Sequence, residues 1–289
     1  MNWQNFGSLV NDAFFVLMTI MLLQPAIKRG MLNSARTGLL QQIEKKRKSR
    51  VIALVHRTET MNLFGFPVMQ FIDIQDAEQL LRAIRLTPDT MPIDIILHTP
   101  AGLSLAAEQV ARALRRHPAK ITVFVPHYAM SGGTLIALAA DELVMCRDAV
   151  LGALDPIIGQ YPAASLVTIA EKKNVADISD ATYLQIEQAK KAIQQTRATT
   201  VDLLTKRMPA EDAERLAGII TSGSHTQDYP IGVDELQAIG MKVTEDMPLE
   251  VFQFMNLFPQ QTNRRPSVDF IPLPYTNPPN AQPPVAPAP

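Results

Sequence analysis

Apolar and polar positions between residues 51 and 145 alternate between two kinds of segment. Short, almost wholly apolar runs are typical of buried strands and predict strands at residues 51–55, 93–97, 121–125 and 143–145. Between these runs apolar residues recur at helical spacing, which predicts helices at residues 74–85, 104–116 and 134–140. Such alternation predicts an α/β fold with a largely parallel sheet and right-handed crossovers.

Two turns in this pattern follow predicted strands directly. One contains Pro100 and Gly102 after the strand at residues 93–97, and the other contains Ser131 after the strand at residues 121–125. Ligand sites in open α/β sheets lie beyond the carboxyl ends of the strands. We therefore expect the functional site where these two turns meet.

Composition narrows the chemistry of that site. The formal net charge is -1 and the sequence pI is about 6.5, so no basic field favours a nucleic-acid partner. The lone cysteine, Cys146, excludes an internal disulfide framework and leaves no Cys/His metal spacing. GxGxxG, Walker and HExxH patterns do not occur either. We expect no cofactor and no metal.

The first thirty residues differ from the rest of the chain. Residues 9–27 are mostly apolar and predict a membrane-spanning helix of marginal length. Basic residues follow it, at Lys28, Arg29 and in the run at residues 45–48. By the positive-inside rule, the amino terminus would face outward and the main domain would be cytoplasmic. An amphipathic or packing helix that never spans is the alternative.

These features divide the chain into four predicted segments: an anchor at residues 1–30, a basic linker helix at 31–50, a catalytic domain at 51–263 and a tail at 264–289. The basic run of the linker could also contact anionic lipid. The tail is dominated by proline, a composition that cannot bury enough apolar area to fold. We expect this tail to be flexible.

Ser131 occupies the position at which a nucleophile would be exposed. A serine on a tight turn between a buried strand and a helix presents its hydroxyl beside the free N–H groups of the helix amino terminus. Gly132 can donate one N–H to an oxyanion, and Gly102 can donate a second from the neighbouring turn. The simpler alternative is that Ser131 caps the helix, as serine often does.

The segments at residues 98–103 and 128–134 resemble the Pro-Gly-Gly and Ala-Ser-Gly signatures of Clp-type peptidases. More narrowly, the chain resembles the serine dehydrogenase proteinase family, membrane relatives of signal peptide peptidase A, from about residue 22 to residue 273. The resemblance implies a Clp-protease/crotonase-like fold and serine peptidase activity. One position departs from it, because Ala101 stands where such families usually carry glycine. Alanine would be strained there if the position required a positive φ.

The general base is not settled by the pattern. In Clp peptidases it is a histidine at a position matching Asp155 or Pro156, and no histidine occurs between His127 and His225. Asp155 itself, before a proline, is typical of a turn. The resemblance to signal peptide peptidases instead implies a Ser-Lys dyad and places its lysine at Lys191.

Two alternatives to Lys191 stay open. The apolar face of the helix predicted from about residue 181 to residue 208 takes in Lys190 more readily than Lys191. His225 lies near the position of the Clp triad's acid and could orient or replace the base. A third possibility is that both lysines are solvated on the helix surface.

The leading hypothesis is thus a membrane-anchored serine endopeptidase that acts on peptide or protein substrates through an acyl-enzyme. Fold analogy also implies a homo-oligomer. Two other classes share the fold: a crotonase-type acyl-CoA enzyme, and a non-catalytic membrane scaffold that uses its proline-rich tail.

Overall fold

The computed structural model describes residues 3–56, 71–226 and 228–258. Its helices are α1 (Trp3–Arg47), α2 (Ile74–Arg85), α3 (Ser104–Arg116), α4 (Gly132–Leu138), α5 (Ala163–Lys172), α6 (Asp180–Leu204), α7 (Ala210–Ile220), α8 (Val233–Ala238) and α9 (Leu249–Asn256). Its strands are β1 (Arg50–Val55), β2 (Ile93–His98), β3 (Ile121–Val125), β4 (Tyr128–Ala129), β5 (Glu142–Met145), β6 (Val150–Gly152), β7 (Ile157–Ile158), β8 (Tyr161–Pro162), β9 (Pro230–Gly232) and β10 (Val243–Thr244).

The centre of the fold is a parallel five-stranded sheet in the order β1-β2-β3-β5-β10. Its first four strands are those that the apolar runs predict, and the predicted helices α2, α3 and α4 lie between them in the chain. The prediction of an α/β fold with a largely parallel sheet is therefore confirmed. Because β2 and β3 are buried along their whole length, they carry continuous apolar runs rather than alternation.

The two faces of the sheet pack against different helices. Ile93, Ile95 and Leu97 of β2 belong to the larger core, which includes buried residues of α2, α3 and α4. Ile96 of the same strand belongs to a second core with residues of α1 and α9. Successive side chains of a strand point to opposite faces of the sheet, so neighbouring residues of β2 enter different cores. Both faces of the sheet are therefore buried.

Helix α1 combines the predicted anchor and linker in one continuous helix of 45 residues. Its carboxyl-terminal part packs on the sheet: Ile43 is buried in the second core, and Arg36 donates to the Leu257 carbonyl oxygen at 2.8 Å. Residues of the predicted linker thus contribute to the core of the catalytic domain. Among the described residues, no helix combines the length and apolar character that crossing a bilayer requires. The predicted tail, at residues 264–289, lies outside the described residues.

Smaller elements beyond the carboxyl ends of the main strands complete the site. Strands β4, β6 and β9 form a second sheet, in which β4 pairs in parallel with β6 and β6 pairs antiparallel with β9. Strand β4 occupies part of the segment that the sequence predicts as a turn. It leads directly into α4, so Ser131 lies between a paired strand and a buried helix.

An ion pair between Arg47 and the buried Asp94 joins α1 to the sheet. The Asp94 carboxylate, on β2, is 1% exposed and accepts hydrogen bonds from Arg47 of α1 and from the Ser49 hydroxyl. Arg47→Met should lower the free energy of unfolding by roughly 3 kcal/mol, because it leaves the Asp94 charge buried without its counter-ion. Urea denaturation measures this loss.

Lys120→Met is the matched control, since Lys120 pairs with Glu142 at 2.7 Å on the surface. We expect this control to cost less than about 1 kcal/mol. Equal losses in the two variants would contradict the role assigned to the Arg47 pair.

Candidate active site

Ser131 has a strained backbone conformation. Its φ is 50° and its ψ is -114°, and Lys48 is the other described non-glycine residue with a positive φ. Such a conformation costs on the order of 1–3 kcal/mol and persists only where the surroundings enforce it. The Ser131 hydroxyl makes no capping hydrogen bond within the described residues. This arrangement favours the nucleophile interpretation over the helix-cap alternative.

The two turns predicted to form the site are in direct contact. A Cβ added to Gly132 would lie 2.8 Å from the Ala107 Cβ and 3.1 Å from the Gly102 Cα. Position 132 therefore has no room for a side chain, and its backbone approaches that of Gly102. The structure places both predicted oxyanion donors beside Ser131.

Both glycine N–H groups are available to a ligand. Within the described part of the chain, the Gly102 N–H has no acceptor, although its neighbours pair with Ile72. Gly132 is the first residue of α4, so its N–H precedes the first hydrogen bond within the helix. Two N–H donors from two turns are what stabilisation of an oxyanion would require.

Hydrogen bonds fix one turn against the other. The Thr99 N–H donates to the Tyr128 carbonyl at 3.2 Å, and the Met130 N–H donates to the Thr99 carbonyl at 3.0 Å. Ala101, between Thr99 and Gly102, is not among the described residues with a positive φ. Alanine is therefore accommodated without the backbone strain that a glycine-specific conformation would cause.

A cavity of about 310 Å³ opens over the nucleophile turn. Its lining includes Gly102, Ser131 and Gly132, and helix α6 contributes Thr196 and Thr199. A volume of this size holds a side chain or a short peptide segment. The cavity is thus suited to position a substrate carbonyl between the hydroxyl and the two donors.

Asp155 is the titratable residue in the cavity that sequence reasoning undervalued. It lines the cavity, is 6% exposed and accepts a hydrogen bond from the Ala164 N–H at 3.4 Å. Burial raises the pKa of the Asp155 carboxyl, and the Ala164 hydrogen bond opposes this shift. Its match to the Clp histidine position was the signal that could have identified it, although the following proline indicated a turn.

The predicted bases lie elsewhere on the surface of the single chain. Lys191 is exposed on α6 and is not in the cavity lining. Lys190 is exposed as well and pairs with Glu187 at 2.9 Å, a contact that raises the pKa of Lys190. His225 stacks on Tyr229 with ring centroids 3.9 Å apart. The described chain brings none of the three into the lining of the Ser131 cavity.

Within the described ranges, no group of three or more His, Cys, Asp or Glu residues is placed to hold a metal ion. Cys146 follows β5 and packs partly against the larger core. Burial raises the pKa of its thiol, and the nearby Asp148 charge adds to the effect. This thiol is accordingly a poor nucleophile.

The chain is similar over most of its length to two archaeal proteins. Two uncharacterized proteins of Methanocaldococcus jannaschii, MJ0137 and MJ1495, are 46% and 45% identical to the chain. The matches cover 93% of this chain and 94% of MJ0137, and 91% of this chain and 90% of MJ1495.

Among solved structures, a mutant of the 1510-N membrane-bound stomatin-specific protease in complex with a substrate peptide is 21% identical, with a TM-score of 0.43. That match covers 64% of this chain and 76% of the other. The family of ClpP-like SDH-type serine proteinases matches residues 1–284, nearly the whole sequence. On this match, the chain belongs to the ClpP-like SDH-type serine proteinases.

Proposed function

We propose that the chain is a serine endopeptidase that cleaves peptide bonds through an acyl-enzyme on Ser131. The observation that carries the proposal is the strained turn at Ser131, which lies against the Gly102 backbone at the mouth of the cavity. Backbone strain of this kind clusters at active sites. Membership of the serine proteinase family supports the same activity.

The reaction follows from the positions of these groups. The Ser131 Oγ attacks the substrate carbonyl carbon while a base takes the hydroxyl proton. The carbonyl oxygen becomes an oxyanion, which the N–H groups of Gly102 and Gly132 stabilise. The amine departs with a proton returned by the base, and water then hydrolyses the ester on Ser131. None of these reaction steps uses a cofactor.

Lys191 is the base that we propose for the assembled enzyme. A base needs a free electron pair, and a lysine amine in water is protonated at neutral pH. Lys191 is exposed in the single chain, so it can serve only where another surface covers this part of α6. A homo-oligomer, which we also propose, would supply such a surface.

We further propose that the amino-terminal part of α1 anchors the protein to a membrane, with the catalytic domain on the cytoplasmic side. Apolar side chains at Met18, Met21 and Ile27 are 45%, 72% and 60% exposed. Basic residues at Lys28 and Arg29 follow them and would lie at the lipid headgroups. The anchor would hold the peptidase close to membrane-proximal protein segments as substrates.

Replacing the nucleophile tests the activity directly. Ser131→Ala should reduce peptidase activity by about a thousandfold or more, because the residual rate comes from binding and the oxyanion donors alone. The measurements are peptide hydrolysis and mass spectrometry of the adduct formed with a fluorophosphonate. Ser104→Ala, at a serine that also lines the cavity, should still form the adduct on Ser131. Full activity in Ser131→Ala would refute the peptidase proposal.

The base is tested by three substitutions in the same assay. Lys191→Ala should be about as damaging as Ser131→Ala, and the double variant little worse, because residues that act as a unit lose activity non-additively. Lys190→Ala should retain most of the activity. An active Lys191→Ala together with an inactive Asp155→Asn would reassign the base to the carboxylate inside the cavity.

Membrane association is tested by fractionation. The full-length chain should stay with membranes in high salt, because apolar contacts with lipid are not screened by ions. A chain that begins at Met31 should be released, and it keeps Arg36, Ile43 and Arg47 for packing against the sheet. Release of the full-length chain by salt alone would leave only a peripheral, electrostatic contact.

A further inference from the structure

A chain of polar contacts leads from α2 to the oxyanion turn. His56, which follows β1, is 7% exposed, and its Nε2 lies 3.2 Å from Asp76 Oδ2 on α2. The other ring nitrogen, Nδ1, lies 3.1 Å from the hydroxyl of Thr99, which is fully buried. Carboxylate, imidazole and hydroxyl are thus connected in series.

The last contact in the series reaches the oxyanion donor. The Thr99 hydroxyl lies 2.8 Å from the Ala101 carbonyl oxygen, which also accepts the Ile72 N–H at 3.2 Å. That carbonyl and the Gly102 N–H belong to the same peptide group. A hydrogen bond to the carbonyl therefore fixes the plane of the group and strengthens its N–H as a donor.

His56 Nδ1 and the Ala101 carbonyl oxygen compete for the one hydroxyl hydrogen of Thr99. An ionised Asp76 only accepts, so His56 Nε2 must carry a hydrogen. In a neutral ring Nδ1 is then an acceptor, and it draws the single hydroxyl hydrogen of Thr99 away from the Ala101 carbonyl. In a protonated ring Nδ1 donates to Thr99, which leaves that hydrogen free for Ala101. The protonation state of His56 thus determines the direction of the Thr99 hydroxyl.

We infer that Asp76, His56 and Thr99 are positioning residues that orient the Ala101–Gly102 peptide, and hence the Gly102 N–H, for oxyanion binding. This inference rests on the proposed peptidase function. None of the three residues lies in the cavity lining of the described chain, so they act through the peptide rather than on the substrate.

Burial and nearby charges determine the pH at which the His56 ring becomes protonated. Burial lowers the pKa of His56, and Asp76 and Asp73, both at the start of α2, oppose this shift. The backbone N–H of His56 donates to the His98 carbonyl at 2.7 Å. The neutral ring therefore prevails at neutral pH, and acidification turns the Thr99 hydroxyl toward Ala101.

Thr99 gives the first arm of the test, in the full-length protein with a peptide substrate. On the acid side of the His56 titration, where the Thr99 hydroxyl donates to the Ala101 carbonyl, Thr99→Val should lower kcat about tenfold with little change in KM, a fraction of the effect of losing an oxyanion donor outright. Thr99→Ser, which retains the hydroxyl, should restore kcat. Thr87→Val is the matched control, because Thr87 is another buried threonine whose hydroxyl donates to a backbone carbonyl, that of Ala83.

His56 gives the second arm, which also applies if Thr99→Val does not fold. The ratio of wild-type kcat to His56→Gln kcat should rise about threefold or more as pH falls through the titration of His56. Asp76→Asn should move that rise to lower pH, because the Asp76 charge favours the protonated ring. His117→Gln is the control, since His117 is also buried and contacts the Met91 carbonyl at 2.8 Å.

The outcomes separate this inference from the proposed function. A wild-type protein that lacks hydrolysis and fluorophosphonate labelling would remove the peptidase itself. An active wild type whose kcat on the acid side of the His56 titration is unchanged by Thr99→Val, or not rescued in a folded Thr99→Ser, would overturn the positioning role alone. A pH-independent ratio for His56→Gln would overturn it as well.

Discussion

The contact between the backbones of Gly102 and Gly132 is the constraint on which the site depends. Two turns from neighbouring strand ends meet there so closely that a Cβ at Gly132 would lie 3.1 Å from the Gly102 Cα, while a Cβ at Gly102 would lie 3.0 Å from the Ile72 side chain. Ser131 tolerates its positive φ because hydrogen bonds from Thr99 and Met130 hold both turns in place. The half-buried Ser131 hydroxyl beside the Gly102 and Gly132 N–H groups, which have no acceptor among the described residues, is a consequence of that contact.

The parallel sheet makes this contact possible, because β2 and β3 are adjacent and end at the same edge. Both faces of the sheet are buried, one by α2, α3 and α4 and the other by α1 and α9. The strand ends are therefore fixed by packing on two sides. Helix α1 consequently has two roles, since its carboxyl-terminal part completes the core and its amino-terminal part exposes apolar side chains.

The sequence predicted those parts of the fold that local patterns encode. The bounds of α2 and α3 match the predicted helices, because apolar residues at helical spacing define each segment. Strand β4 could not be predicted, since two residues carry no period and their pairing with β6 is tertiary. The packing of α1 on the sheet could not be predicted either, because Ile43 is buried by residues that are distant in the sequence.

The candidate site was predictable in its backbone and less so in its side chains. Ser131, Gly102 and Gly132 follow from strand ends and glycine positions, whereas Asp155 is buried beside Ala164 of α5 and Gly223, contacts that no local pattern encodes. Lys191 came from resemblance, and its exposure agrees with helical phase, which placed it outside the apolar face of α6. Lys190, which phase placed closer to that face, is exposed as well because no described element packs over that turn of the helix's surface.

The most direct test of the oxyanion site is a crystal structure of the fluorophosphonate-treated protein. We expect phosphorus bonded to the Ser131 Oγ, with one phosphonyl oxygen about 2.7–3.1 Å from the nitrogens of both Gly102 and Gly132. Phosphorus bonded to another residue, or a phosphonyl oxygen directed away from Gly102, would contradict the proposed oxyanion site.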